Sequence, residues 1–318
     1  MTRSVQKGFE PSAADVERHT TGRNIWLRRV PSEGDEPGKV SSHALNYQVL
    51  DSEEAVGRAM FDEIEAAAHE ERGDLTIVIL GGRGGQALHR LIGEKAHNNE
   101  LDDLLSRLNV FTQDALTPMR SDNAFSFVRD FERLLGDSFF RKVKAFNSMQ
   151  TDAADPEAEL TRYLDAFEST GGIDIFFLGL GPEAGGASHI CYIRPGCGAG
   201  AKDLAGVIPV SPSIIEHHIN KFKAGGTKPN EADEIECRGA THILTLGPAA
   251  VLGAKRIVQS IVDADSAPAK IQSFERLIKT DLADDPETRR RQLDENPGLW
   301  IRLHANVRSL VLPNVLLA

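Results

Sequence analysis

The sequence predicts an α/β protein: a doubly wound, mainly parallel sheet with helices on both faces, a Rossmann-like variant. It forms one large domain over residues 46–318 behind a polar N-terminal extension, residues 1–45. Three observations predict it. Short apolar runs of strand length alternate almost without exception with capped stretches at helical spacing. Glycine-rich loops follow several of these runs, at the strand ends where open α/β sheets bind ligands. The chain also has 318 residues and 41% hydrophobic content, enough to bury a full core.

Taken in order, residues 1–45 are polar, contain the cluster PSEGDEPGK at 31–39 and show no sustained period, so they read as an extension or partner-binding arm. From Asp51 an Asp-Ser cap, early acidic residues and apolar positions at helical spacing predict a helix over DSEEAVGRAMFDEIEAAAHEE. LTIVILGG (75–82) is a strand, RGGQALHRLIGEKA opens a helix, LNVFTQDAL (108–116) is a second strand and SDNAFSFVRDFERLLGDSFF a capped helix. RKVKAF (141–146) predicts a short strand, DPEAELTRYLDAFES a helix, and IDIFFLGLG a buried strand. After VIPVSP and the segment SPSIIEHHINKF come the strand THILTLG (241–247), a short helix through LGAKRI, SIVDA, the helix AKIQSFERLIK and a closing strand in LWIRLHANVRSLVLP. The acidic stretches at 231–236 and 281–294 read as solvated loops or helix faces.

A net charge of −11 and a pI near 5.4 exclude a broad basic surface, and with it the usual footprint of nucleic-acid or anionic-membrane binding. Cys191, Cys197 and Cys237 fit no disulfide framework and no zinc spacing, which makes a reducing cytosol the expected compartment. MTRSVQKGFEPSAADVERHT has no apolar stretch that would make it a signal peptide or anchor, and no apolar run approaches the length of a membrane span. Neither clustered ligands nor a dinucleotide fingerprint is present, so no metal and no organic cofactor is expected.

Three motifs carry candidate chemistry. GGRGGQ (81–86) sits between a strand and a helix, where backbone amides and the helix N-terminus suit an anion and Arg83 adds a charged donor; the alternative is a tight βα turn. Asp114 ends the LNVFTQDAL strand and can act as a general base, or can cap a following helix. In the loop GPEAGGASHICYIRPG, His189 can serve as acid or base near neutral pH, Glu183 can orient it and Arg194 can hold a phosphate or an oxyanion. Of His217 and His218, one is expected to face substrate and the other solvent, while His242 and His304 lie in apolar runs and read as core residues.

Together these segments resemble the glucosamine-6-phosphate deaminase and 6-phosphogluconolactonase family, in residues and in order, over about residues 51–312. Gly84 and Gly85 match the glycine pair of its first βα loop, and Phe111 to Asp114 match F-x-x-D. Gly179, Gly181, Pro182, His189, Ile190, Pro195 and Gly196 match G-x-G-x-D-G-H-I-x-F-x-E-P-G; THILTLGPAAVLGAKRI and LWIRLHANV match two later segments. The chain departs from the pattern where the Asp of D-G-H is missing and Glu183 is the nearest carboxylate. Arg194 replaces a Glu and would set a cation beside the histidine, Gln86 replaces a threonine, and Arg238 or Thr241 stands nearest an expected basic position.

The resemblance implies that Arg83, Gly84, Gly85 and Gln86, with Arg194 and Arg238, hold a sugar phosphate, that Asp114 moves a proton between C1 and C2, and that His189 with Glu183 assists ring opening. It thereby implies an enzyme of aldose-ketose proton transfer. Two alternatives stay open: lactone hydrolysis by His189 and Arg194, and a phosphosugar-binding protein with reduced catalysis. The partner expected is a small phosphorylated sugar, with a homo-oligomer allowed.

Overall fold

The computed structural model describes residues 24–28 and 42–316. In chain order the elements are β1 (Ile25–Arg28), β2 (Asn46–Val49), α1 (Glu53–Glu70), β3 (Leu75–Ile79), α2 (Arg83–His97), α3 (Asp102–Ser106), β4 (Leu108–Thr112) and β5 (Asp114–Thr117). There follow α4 (Phe127–Lys142), β6 (Ala145–Asn147), α5 (Pro156–Glu168), β7 (Ile173–Leu178), β8 (Gly181–Pro182), β9 (Ser188–His189), β10 (Asp203–Pro209), α6 (Pro212–Ala224) and α7 (Glu231–Arg238). The last are β11 (His242–Leu246), α8 (Pro248–Leu252), β12 (Ala254–Ile261), α9 (Ala269–Lys279), α10 (Pro286–Glu295) and β13 (Val307–Val311).

Seven strands form one parallel sheet in the order β2-β13-β12-β7-β3-β4-β6. From β3 the chain winds outward through β4 and β6, then returns to the other side of β3 and winds outward again through β7, β12 and β13. The reversal lies between β3 and β7. The period-2 alternation of β7 shows how the sheet is covered: Ile175 and Phe177 join the core beneath α1, α2 and α4, whereas Phe176 and Leu178 join the core shared with α5 and α9. The expected doubly wound architecture is therefore present.

Four strands form a second, antiparallel sheet, β1-β10-β11-β5, which the sequence did not announce. LNVFTQDAL, expected as one strand, is divided at Gln113: β4 stays in the parallel sheet and β5 crosses to the antiparallel one. Within the expected N-terminal extension, Ile25–Arg28 pairs with β10, and the Trp26 ring lies over Gly206, where an added Cβ would come within 2.5 Å of it. The remainder of that extension up to residue 41, apart from Asn24, lies outside the described residues.

Local signals placed most helices correctly. Ser52 caps α1, Asp155 caps α5 with Pro156 in its first turn, and the acidic stretch at 231–236 is the start of α7, boxed by Asn230 and Asp233. Two expectations are corrected. LGAKRI is the end of α8 running into β12, because Gly253 stops the helix and β-branched residues follow. LWIRLHANV is a 3-10 segment, Pro297–Leu303, with its strand starting only at Val307, because Pro297 and the buried Arg302, bonded to the carbonyls of Leu277 and His43, hold it as a turn. Among the described residues no helix is long and apolar enough to cross a membrane.

Candidate active site

A cleft with about 500 Å³ of unfilled space, part of it open to solvent, lies over the carboxyl ends of β3, β4, β7 and β12, where the winding direction reverses. Such reversals leave a crevice because the two connecting helices diverge. Its polar walls come from α2, the β4–β5 junction, the loop after β7, α6, the end of β12 and α9.

Asp114 enters the cleft because it is the first residue after the chain leaves one sheet for the other. Tyr163 Oη donates to the Thr112 carbonyl at 2.5 Å, Leu246 N–H donates to the Gln113 carbonyl at 2.9 Å, and Asp114 pairs with Thr245 across β5 and β11. The helix-capping alternative is thereby removed, since Asp114 lies in a strand and Ser126 caps α4. Only 3% of Asp114 is exposed and its Oδ1 has no hydrogen-bond partner. Burial pushes its pKa up to about 7 against the opposing pull of the Lys221 charge and Gln113.

His189 stands on β9, which pairs with β8 so that the imidazole lies across Gly181; an added Cβ there would come within 1.8 Å of Nε2. Its Nδ1–H donates to Glu183 Oε1 at 2.7 Å, which leaves Nε2 as an acceptor. Burial lowers the His189 pKa and Glu183 opposes the fall. Arg194 has no part in this. Its Nε donates to the Pro209 carbonyl and it does not line the cleft, so the expected cation beside the histidine is corrected: the charge beside it is the Glu183 carboxylate.

The cationic wall comes from residues that no motif marked. Lys221 on α6 stretches its methylenes over Gly82, whose positive φ (77°) and lack of Cβ make room for it, and its Nζ lies 5.2 Å from the ring centres of both Phe127 and Tyr192. Burial lowers its pKa to about 8, with Asp114 opposing. Lys270, at the start of α9, is ion-paired with Asp263 at 2.5 Å, both side chains under a tenth exposed. His217 also lines the cleft, and burial with the two lysines pushes its pKa down to about 3.

Three comparisons bear on this geometry. No protein-family model matches the chain. A glucosamine-6-phosphate deaminase from Geobacillus sp. (strain WCH70) is 28% identical over 128 residues, which is 40% of this chain and 44% of the relative, so the match spans less than half the length of either. Among solved structures, a monomeric glucosamine-6-phosphate deaminase of the NagB superfamily superposes with a TM-score of 0.63 at 18% identity, covering 85% of this chain and 98% of that one. The 6-phosphogluconolactonases from Trypanosoma cruzi and Shewanella baltica superpose with TM-scores of 0.61 and 0.58 at 16% and 15% identity, each covering 86% of this chain and 97% and 99% of theirs. The fold is that of the glucosamine-6-phosphate deaminases and 6-phosphogluconolactonases. Identity this low carries the architecture across and leaves the chemistry to the residues of the cleft.

Within this deaminase and lactonase fold the cleft gathers Asp114, His189, Arg83 and Gly84, with Glu183 bonded to His189. Arg83 arrives already paired, to Glu53 at 2.6 Å and Asp265 at 3.4 Å. Gly85 serves helix packing: a Cβ there would come within 2.7 Å of the Leu80 carbonyl oxygen. Gln86 is buried with its amide toward the Gly225 carbonyl, and Arg238 is held on the surface by Glu216 and Glu234, so neither lines the cleft. His218, expected at solvent if its neighbour faced substrate, is fully buried, since successive helix positions point about 100° apart and its side falls against Phe125 and Tyr192. The sequence held one local trace, for Lys221 alone: its four-residue spacing from His217 puts both on one helix face without telling what that face meets.

Proposed function

We propose that the cleft binds a phosphorylated sugar and moves a proton between its adjacent carbons, as an aldose-ketose isomerase or deaminase does. The observation that carries this reading is Asp114: a carboxylate buried in the cleft with one oxygen unpartnered and its pKa raised to about 7. A base for a carbon acid at neutral pH needs a raised pKa and a free lone pair, and it has both. The sugar phosphate would sit against the N-terminus of α2 beside Gly84, with Lys221 and Lys270 supplying charge; Arg83 fixes that helix end through Glu53. His189, neutral and oriented by Glu183, would pass the ring-opening proton.

The same His189–Glu183 pair also supports a second reading, lactone hydrolysis, in which it activates water. That reading loses Arg194, which faces Pro209, and its oxyanion would fall to Lys221 or Lys270. Incubation with glucosamine-6-phosphate and, separately, with 6-phosphogluconolactone distinguishes them. Ammonia release with solvent deuterium entering C1 of the ketose product supports proton transfer; acid release without deuterium entry supports hydrolysis. Tight binding of either ligand with no turnover would leave a phosphosugar-binding protein and refute the enzymatic reading.

A further inference from the structure

Behind the cleft wall runs a directed hydrogen-bond chain that neither reading above uses. His218 Nε2 lies 2.7 Å from the Phe125 carbonyl, which can only accept, so Nε2 carries the proton and Nδ1 a lone pair. Tyr192 Oη, 2.8 Å from that Nδ1, therefore donates to it. This leaves the phenol's own lone pairs for Lys221, whose Nζ donates to Oη at 3.0 Å. The far end is rigid: Asn123 Oδ1 accepts from Phe125 N–H, and the Asn123 amide donates to Glu236 and the Asp233 carbonyl on α7. The near end is costly, because Cys191 and Tyr192 both have positive φ (49° and 52°) between Ile190 and Ile193, a hairpin turn that normally uses Asn-Gly. Non-glycine residues are strained in that region, and such strain persists where surroundings enforce it.

We infer that Tyr192 and His218 are positioning residues that fix the Lys221 ammonium over Gly82 as the ligand's phosphate contact, a role that rests on the phosphosugar reading above. The geometry leaves Lys221 little other freedom: its stem is packed on Gly82, its charge faces two rings, and the phenol oxygen sets its direction. Without the hydroxyl, the flexible side chain would swing and lose the pre-organisation that makes a single ammonium useful.

Calorimetry of glucosamine-6-phosphate and of inorganic phosphate on wild type, Tyr192→Phe, Lys221→Met and the double variant tests this. Tyr192→Phe keeps the ring, and is expected to raise both Kd values about tenfold, the scale of one charge-assisted hydrogen bond. In the Lys221→Met background it is expected to add less than twofold, because the relay then has nothing to aim. An unchanged Kd in Tyr192→Phe, or an equal loss in both backgrounds, overturns the inference while a Lys221→Met loss keeps the phosphate seat. No loss in Lys221→Met overturns both. Non-phosphorylated glucosamine serves as the control, and a tenfold loss with it as well would mark a general structural defect and also overturn the inference.

Discussion

At Asp114 burial and the Lys221 ammonium pull in opposite directions, and burial wins, raising the carboxyl from 3.8 to about 7. The folded chain then holds a proton that the unfolded chain has released between about pH 4 and pH 7, so this residue's contribution to stability falls as the pH rises through that window. Asp114→Asn is expected to raise the melting temperature at pH 8 and to leave it unchanged at pH 4, by calorimetry; the reverse order would contradict a buried carboxyl whose Oδ1 has no partner. Turnover of the accepted phosphosugar should drop by roughly 10²–10⁴-fold, with binding changed far less. In the wild type, kcat/KM should rise as Asp114 ionises near pH 7 and fall as the Lys221 ammonium, lowered to about 8, loses its proton. A pH-rate profile flat from 6 to 9 would remove both from the reaction.

At the scale of elements, the glycines in strand-end loops serve particular close approaches. Gly181→Ala places a methyl group where the His189 Nε2 now lies. It should break the Glu183–His189 bond and lower turnover at least tenfold, with a loss of about 1–3 kcal/mol in denaturant unfolding. Full activity in that variant would take His189 out of the chemistry. These loops and the helices α1 and α5 were legible because caps, acidic first turns and helical spacing are local, and α9 by its spacing alone. Asp114 and His189 were legible because they stand at strand ends. The cationic wall was not: Lys221 and Lys270 look like ordinary helix lysines until α6 and α9 fold back over the sheet, and Arg238 looked basic in the right order yet spends its charge on Glu216 and Glu234. The antiparallel sheet was hidden for a related reason, since the pairing of β5 with β11 joins residues more than 120 positions apart, which no local period reports.

At the scale of the molecule, the two sheets meet at Gln113, and the second sheet begins at its other edge with Ile25–Arg28. Arg28 pairs there at 2.9 Å with the buried Asp203, and Trp26 donates to the Cys197 carbonyl. Removing residues 1–28 should cost about 2–4 kcal/mol, chiefly from the lost Trp26 and Ile25 burial, read as a lower denaturant midpoint. An unchanged midpoint would mean that β1 is only draped on its neighbour.

That arrangement gives the amino-terminal strand a significance beyond its size. Four adjacent ribbons of backbone run from Trp26 at one margin to Asp114 at the other, and β11 is the clamp that keeps the carboxylate aimed. Peeling that begins at the outer margin, by proteolysis or thermal fraying, would advance strand by strand toward Asp114. The working life of the cleft is therefore set in part at a surface remote from it.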